Sequence, residues 1–229
     1  MKIAFLAALL LSAQTVWAED DMEEPKHKYA YCEISDKDQE ETMEDVDEGI
    51  TGCLLFDQEY GKAMRVRGIL GTDEWVEPND EMEKFEHHYL GIRELGHEST
   101  CEQMGKLWPE FLENNEDLEG KCPLGTAKFD MAGDAIYKNK NSAASLFCDD
   151  DETDDIEKSH SIIGRGVSVY SGMKPEGDDE VVACCTVKEL DLTKEEDMKK
   201  LKAIEKDLRA QKREIKQRRR DERNKDDEE

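Results

Sequence analysis

Six carboxylates crowd into seven residues at Asp149, Asp150, Asp151, Glu152, Asp154 and Asp155, interrupted only by Thr153. A second acidic group lies between Glu33 and Gly49, where Asp36, Asp38, Glu40, Glu41, Glu44, Asp45, Asp47 and Glu48 occur. Carboxylates are hard oxygen ligands suited to Ca²⁺ and similar divalent ions. Neither group has the ligand spacing of an EF-hand, so what they offer is weak, diffuse binding of many ions at once. For any one site the competing reading is a solvated acidic loop that keeps the chain soluble. Over the whole surface, loose binding of divalent cations is hard to avoid electrostatically, and the metal-binding candidates are the carboxylates of 149 to 155.

Softer donors are sparse. The five histidines stand at 27, 87, 88, 97 and 160, and none makes an alternating pair on one strand face. His87 and His88 are adjacent, so in a strand they point to opposite sides, which favours surface or structural roles over a shared metal. Seven cysteines (32, 53, 101, 122, 148, 184 and 185) include no C-x-x-C pair, which argues against thioredoxin-like and zinc-ribbon chemistry. Seven is odd, so at least one thiol is free or bridges to another chain. Cys185 follows Cys184 and must face the other side of its strand. It could pair with Cys32 if the first and last strands are neighbours, but spacing alone does not fix the connectivity.

These residues must be held by a chain of 229 residues with a formal charge of −26. Such a charge disfavours nucleic acid and anionic membranes as partners. Met1-Lys2, the apolar run from 3 to 13, and Val16 with Ala18 before Glu19 read as a secretory signal peptide cleaved after Ala18. The expected product is secreted and extracellular, where disulfides persist. Residues 19–28 form an acidic leader. Residues 19–190 hold 17 basic and 45 acidic residues, and residues 191–229 hold 14 and 13, so the surplus of negative charge belongs to the region before the C-terminal segment.

That region alternates short β-like runs with Gly and Asp punctuation: 29–34, 52–56, 63–67, 125–129, 134–137, 161–170 and 181–187. Frequent short strands with turns predict an all-β sandwich or barrel. Glu81 to His88 reads as a short helix within a connection. From Leu192 the texture changes. Thr193 with Glu196 forms a capping-box pattern, and Leu201, Ile204, Leu208, Gln211 and Ile215 follow coiled-coil spacing. Glu195/Lys199, Glu196/Lys200, Glu205/Arg209 and Glu214/Arg218 sit in the favourable i,i+4 order. A charged helix of about seven or eight turns is expected. Its stripe leaves two readings open, a solvated single helix and a homo-oligomer through Leu201, Ile204, Leu208 and Ile215. Arg218-Arg219-Arg220 lies among acids, so it reads as a solvated face or a strip that docks on acidic surface, on a neighbouring subunit for instance.

Several runs resemble copper/zinc superoxide dismutases. Ser161-Ile-Ile-Gly-Arg165, Val167-Ser-Val-Tyr170, Lys174-Pro175 and Asp178-Asp179 look like the stretch that ends in a metal-binding His and a Lys-Pro-Asp-Asp loop. Val182-Ala183-Cys184 resembles that family's Arg-Leu-Ala-Cys. Gly52 to Gln58 and Val66-Arg67-Gly68 look like its second and third strands, and Leu124-Gly125 with Asp130 to Tyr137 like its Leu-Gly and following Asp-x-x-Gly-x-Ala. His88 to Gly96 sits where the enzymes carry His-Gly-Phe-His-Val-His-x-Phe-Gly. The likeness is collinear from Tyr29 to Val187, about seven tenths of the chain. It implies a Greek-key β-sandwich or barrel followed by the charged helix, and a disulfide between Cys101 and Cys184.

Carried over position by position, the family's chemistry is missing. Its copper His pair falls on Gly91 and Arg93, its bridging His near Leu107, and its last copper His on Tyr170. The zinc His and Asp fall on Gly120 and Pro123, and the substrate-guiding Arg falls on Val181. Gly, Leu and Pro side chains have no donor, and Arg brings a cation where a neutral imidazole is needed. The resemblance therefore implies a catalytically silent relative with neither copper nor zinc at the family site. In secretion, acidity and lost ligands the chain resembles the molluscan extracellular superoxide dismutase-like proteins, which are associated with divalent-metal carriage and shell formation. The expected function is a secreted, inactive carrier of divalent cations in haemolymph or mineralising fluid. The alternatives are an active extracellular dismutase with a rebuilt site and a structural protein of shell or matrix.

Overall fold

The structure is a computed structural model that describes residues 27–34, 50–72, 86–96, 101–107, 124–130, 132–141, 144–147, 161–170 and 181–226. The signal peptide, residues 19–26 of the leader, both acidic groups, Gly120, Pro123, Cys122 and Cys148 lie outside those residues; His27 and Lys28, the last two of the leader, open the first strand.

Among the described residues nine strands form two antiparallel sheets, followed by one long helix. The strands are β1 (His27–Ile34), β2 (Ile50–Glu59), β3 (Met64–Thr72), β4 (Glu86–Ile92), β5 (Gly125–Phe129), β6 (Asp134–Asn141), β7 (Gly166–Tyr170), β8 (Val181–Thr186) and β9 (Lys188–Leu190); the helix is α1 (Glu195–Asp226). One sheet runs β6-β3-β2-β1-β9 and the other β5-β4-β7-β8. The chain thus changes sheet between β3 and β4, β5 and β6, β6 and β7, and β8 and β9.

The period-two alternation of the strands builds the core between the sheets. Ala30, Cys32 and Ile34 of β1, Leu54 and Phe56 of β2, and Met64, Val66 and Leu70 of β3 face inward from the five-stranded sheet. Leu90 and Ile92 of β4, Ala127 and Phe129 of β5, and Val167 and Val169 of β7 meet them from the other. Strand β7 is buried at all five positions, because the segment 101–107 covers its outer side. Arg165 ties the approach to β7 to the end of β4. Only 1% exposed, it donates from Nε to the Ser161 carbonyl at 2.7 Å and from Nη1 to the Glu94 carbonyl at 2.8 Å.

Glu86, His87 and His88 belong to β4 and not to a helix, which corrects the reading of 81–88 in its final third. β4 pairs on both sides, with β5 from Glu86 to Leu90 and with β7 from Tyr89 to Ile92. Those two ladders outweigh the helical preference of the isolated run.

Helix α1 covers the outer face of the five-stranded sheet. Leu201, Ile204 and Leu208 pack on Tyr29, Tyr31, Leu55 and Leu190, and Ile215 is 4% exposed. A stripe of this spacing fits a partner helix or a sheet equally well, and here it lies on the chain's own sheet. The Thr193–Glu196 capping box is not formed. Thr193 instead donates its hydroxyl to Asp191 Oδ1 at 2.6 Å, and Asp197 reaches back to accept the Asp191 amide at 3.0 Å. Glu195–Lys199 and Glu205–Arg209 pair as expected, at 2.7 and 3.1 Å. Lys200 turns to the sheet, donating to Tyr31 Oη at 2.6 Å with Nζ 3.9 Å from the ring centroid.

The helix is clasped again near its C-terminal end. Arg219 Nε donates to Asp130 Oδ2 at 2.7 Å, and Arg218 donates to Asp134. Asp130 and Asp134 close the turn between β5 and β6, where Gly133 has φ +72° and a β-carbon would press on the Thr72 carbonyl. Asp130 Oδ1 also accepts the amides of Ala132 and Asp134 at 3.1 and 2.9 Å. The basic run thus docks on acidic surface within the chain.

Two disulfides form. Cys101 and Cys184 meet with Cα atoms 5.7 Å apart, the pair implied by the resemblance. Cys32 and Cys185 form the second, 5.6 Å apart, and it links the two sheets through the core, because β1 and β8 belong to different sheets. Cys184 packs outward with Met104 and Val181, while Cys185 lies in the main core. Such bridges fit an oxidising compartment. No helix among the described residues is long and apolar enough to cross a membrane.

Candidate functional site

The outer face of the four-stranded sheet brings together four positions singled out in the sequence. On β4 the core-facing residues are His88, Leu90 and Ile92, which leaves Tyr89, Gly91 and Arg93 on the outside. Register sets Tyr89 opposite Tyr170 and Gly91 opposite Ser168. An isolated bridge then places Arg93 against Leu107. Gly91, Arg93, Leu107 and Tyr170 thereby converge, although 78 residues of chain lie between the first and the last.

Their contacts fill the site. Arg93 Nη1 donates to Tyr170 Oη at 2.7 Å. The Tyr89 and Tyr170 rings meet edge to face with centroids 5.8 Å apart, and both residues are buried. A β-carbon added to Gly91 would overlap Leu107 Cδ1 and lie 3.2 and 3.3 Å from the two tyrosine rings. Leu107 therefore occupies the space that any larger residue at position 91 would need.

A guanidinium donates only, and the phenol is already engaged by it. Neither is a ligand for copper or zinc in this arrangement, and glycine and leucine provide no donor. The nearby imidazole is turned away. His88 is 2% exposed on the core side, its Nδ1 lies 3.0 Å from the Tyr170 carbonyl, and its ring meets Phe129 edge-on with centroids 4.9 Å apart. His87 is half-buried and faces the other way, as adjacency in a strand requires. Among the described residues no group of three or more His, Cys, Asp or Glu side chains could hold a metal ion. The residues present at the four positions do not fit copper or zinc, and no redox step can be derived through them.

Asp149, Asp150, Asp151, Glu152, Asp154 and Asp155, the carboxylates expected to bind cations, all lie outside the described residues. One charged group went unrecognised in the sequence. Asp57, 3% exposed, receives Arg65 Nη2 at 2.7 Å and Arg67 Nη2 at 3.3 Å on the outer face of β2 and β3. Its signal was the Arg-Val-Arg alternation of 65–67, which places two cations on one strand face. Cys53, the remaining described cysteine, carries a free thiol, pushed up to about 12 by burial and by the neighbouring Glu33. A thiol held so far above neutrality is protonated and unreactive.

Neither a protein-family model nor a curated protein matches the chain.

Proposed function

We propose that this protein is a secreted, catalytically inactive relative of the copper/zinc superoxide dismutases that carries divalent cations, Ca²⁺ or similar, on its acidic segments. The observation that carries the first half is the convergence of Gly91, Arg93, Leu107 and Tyr170. Motif resemblance alone assigned these four positions to the copper ligands, and they are dispersed in sequence. Their meeting at one place on one sheet supports the alignment, and their side chains support the loss of the metal. The two-sheet arrangement and the Cys101–Cys184 bridge agree with the same Greek-key reading. Cation carriage rests on the excess of acid in residues 19–190, 45 against 17 basic residues.

Metal analysis of the dialysed mature protein together with a dismutase assay tests the reading. The expected result is no stoichiometric copper, no dismutase activity, and a shallow Ca²⁺ titration that fills several weak sites. Stoichiometric copper accompanied by activity would establish the enzyme with a rebuilt site instead.

A further inference from the structure

Between Leu208 and Ile215 the apolar stripe of α1 is interrupted. Within this span of about 10 Å the helix brings Lys212, and no apolar side chain, to the neighbourhood of the sheet. A cleft of about 180 Å³ opens there, between the helix and strands β3 and β6. Register places Ile69 beside Ile136 and, two residues along the same face, Arg67 beside Lys138. The sheet thus provides an apolar floor at one end and two cations at the other. From above, Leu208 extends the floor, and Arg209 and Lys212 add two further cations to the rim.

Charge makes this cleft unlike the rest of the molecule. Glu205 is the acid in its lining, and it is shared by Arg67 at 3.3 Å and Arg209 at 3.1 Å. Asp57, behind Arg67, is shared by Arg65 at 2.7 Å and Arg67 at 3.3 Å. Lys138 and Lys212 are exposed and have no acidic partner among the described residues. Arg67 Nε is buried with no hydrogen-bond partner. With Asp57 counted, the four lining cations Arg67, Lys138, Arg209 and Lys212 face two carboxylates, which leaves a local positive potential among the described residues.

We infer that this cleft binds a small organic phosphate. A cavity of about 150 Å³ accepts a benzene-sized molecule, so the space fits one ring or a short alkyl chain on Ile69, Ile136 and Leu208. A doubly charged phosphate head then falls among the Arg67 guanidinium, Lys138 and Lys212. This site is independent of the dismutase resemblance and of the acidic segments.

Calorimetric titration of the full-length protein with phenyl phosphate tests the inference, with inorganic phosphate and benzyl alcohol as parallel titrants. Phenyl phosphate should saturate one site and bind more tightly than either parallel titrant. The double variant Lys138→Ala/Lys212→Ala should weaken it by roughly tenfold or more, and added NaCl should weaken it as well. Both lysines are exposed and unpaired, so circular dichroism and the urea midpoint should show the variant folded as the parent is. Absence of saturation, equal affinity in the double variant, or inorganic phosphate binding as tightly as phenyl phosphate would each overturn the assignment.

Discussion

Replacing a hydrogen of Gly91 by a methyl group would drive a carbon into Leu107 Cδ1 and against the rings of Tyr89 and Tyr170. Those rings are buried, and Tyr170 is held by Arg93, so the neighbours cannot yield freely. Overpacking of this kind costs about 1–3 kcal/mol. Gly91→Ala should therefore lower the unfolding free energy read from urea titration by that amount, and Gly91→Ala combined with Leu107→Ala should recover part of the loss. The double variant makes the measurement specific. If it is as unstable as the sum of the two single variants, position 91 does not contact Leu107 and the packed-site description is wrong. The four positions of this site were legible only because a motif likeness assigned them one by one. Nothing in the residue types Gly, Arg, Leu and Tyr marks them as neighbours, and what brings them together is pairing between β4 and β7 across a long stretch of sequence.

Among the elements, α1 depends on two sets of contacts with the sheet: the apolar stripe and the clasp at Asp130 and Asp134. Burial pushes the Asp130 carboxyl upward, but the Asp134 amide, Arg219 and the Ala132 amide together outweigh it and hold the group below its ordinary value. An Asp in the unfolded chain ionises near 3.9. A group held lower in the fold contributes stability that is complete above that value and disappears as pH falls through the lowered one. Asp130→Asn removes the ionisable group and leaves an amide in the turn. The variant should be less stable than the parent by about 1–3 kcal/mol near pH 6, and the difference should shrink as pH falls to about 3. Urea midpoints of both proteins across that range check it; a difference that stays constant with pH would mean the ionised clasp contributes nothing. Strand β5 and the acid-rich turn after it were readable because Gly125–Phe129 alternates cleanly and Asp130 to Gly133 is turn chemistry. β9 has three residues, too few to show a period. The helix stripe showed where α1 is apolar and not what would cover it, because a 3-4 spacing matches a helix and a sheet alike.

For the molecule as a whole, carboxylates outnumber cations by 26, and such self-repulsion destabilises any compact state. The two disulfides oppose it by closing loops of 153 and 83 residues, each worth about 4–5 kcal/mol in the chain-entropy description. The clasp at α1 opposes it too, by placing the nearly neutral C-terminal segment, 14 basic and 13 acidic residues, on the acidic β-structure. Added ions can relieve the remainder in two ways that thermodynamics separates. Screening depends on ionic strength alone, so NaCl and CaCl₂ at matched ionic strength would raise the unfolding temperature equally. Binding adds RT ln(1 + [L]/Kd) per site for an ion that prefers the folded chain, about 1.4 kcal/mol at tenfold excess over Kd. The unfolded chain carries the same carboxylates, so only crowding of acids by the fold produces this surplus. Cation carriage therefore predicts a larger rise with CaCl₂ than with NaCl. Converting Asp149, Asp150, Asp151, Asp154 and Asp155 to Asn and Glu152 to Gln should reduce the gap. Equal rises for the two salts would leave the acidic segments with screening alone and remove the basis for divalent binding.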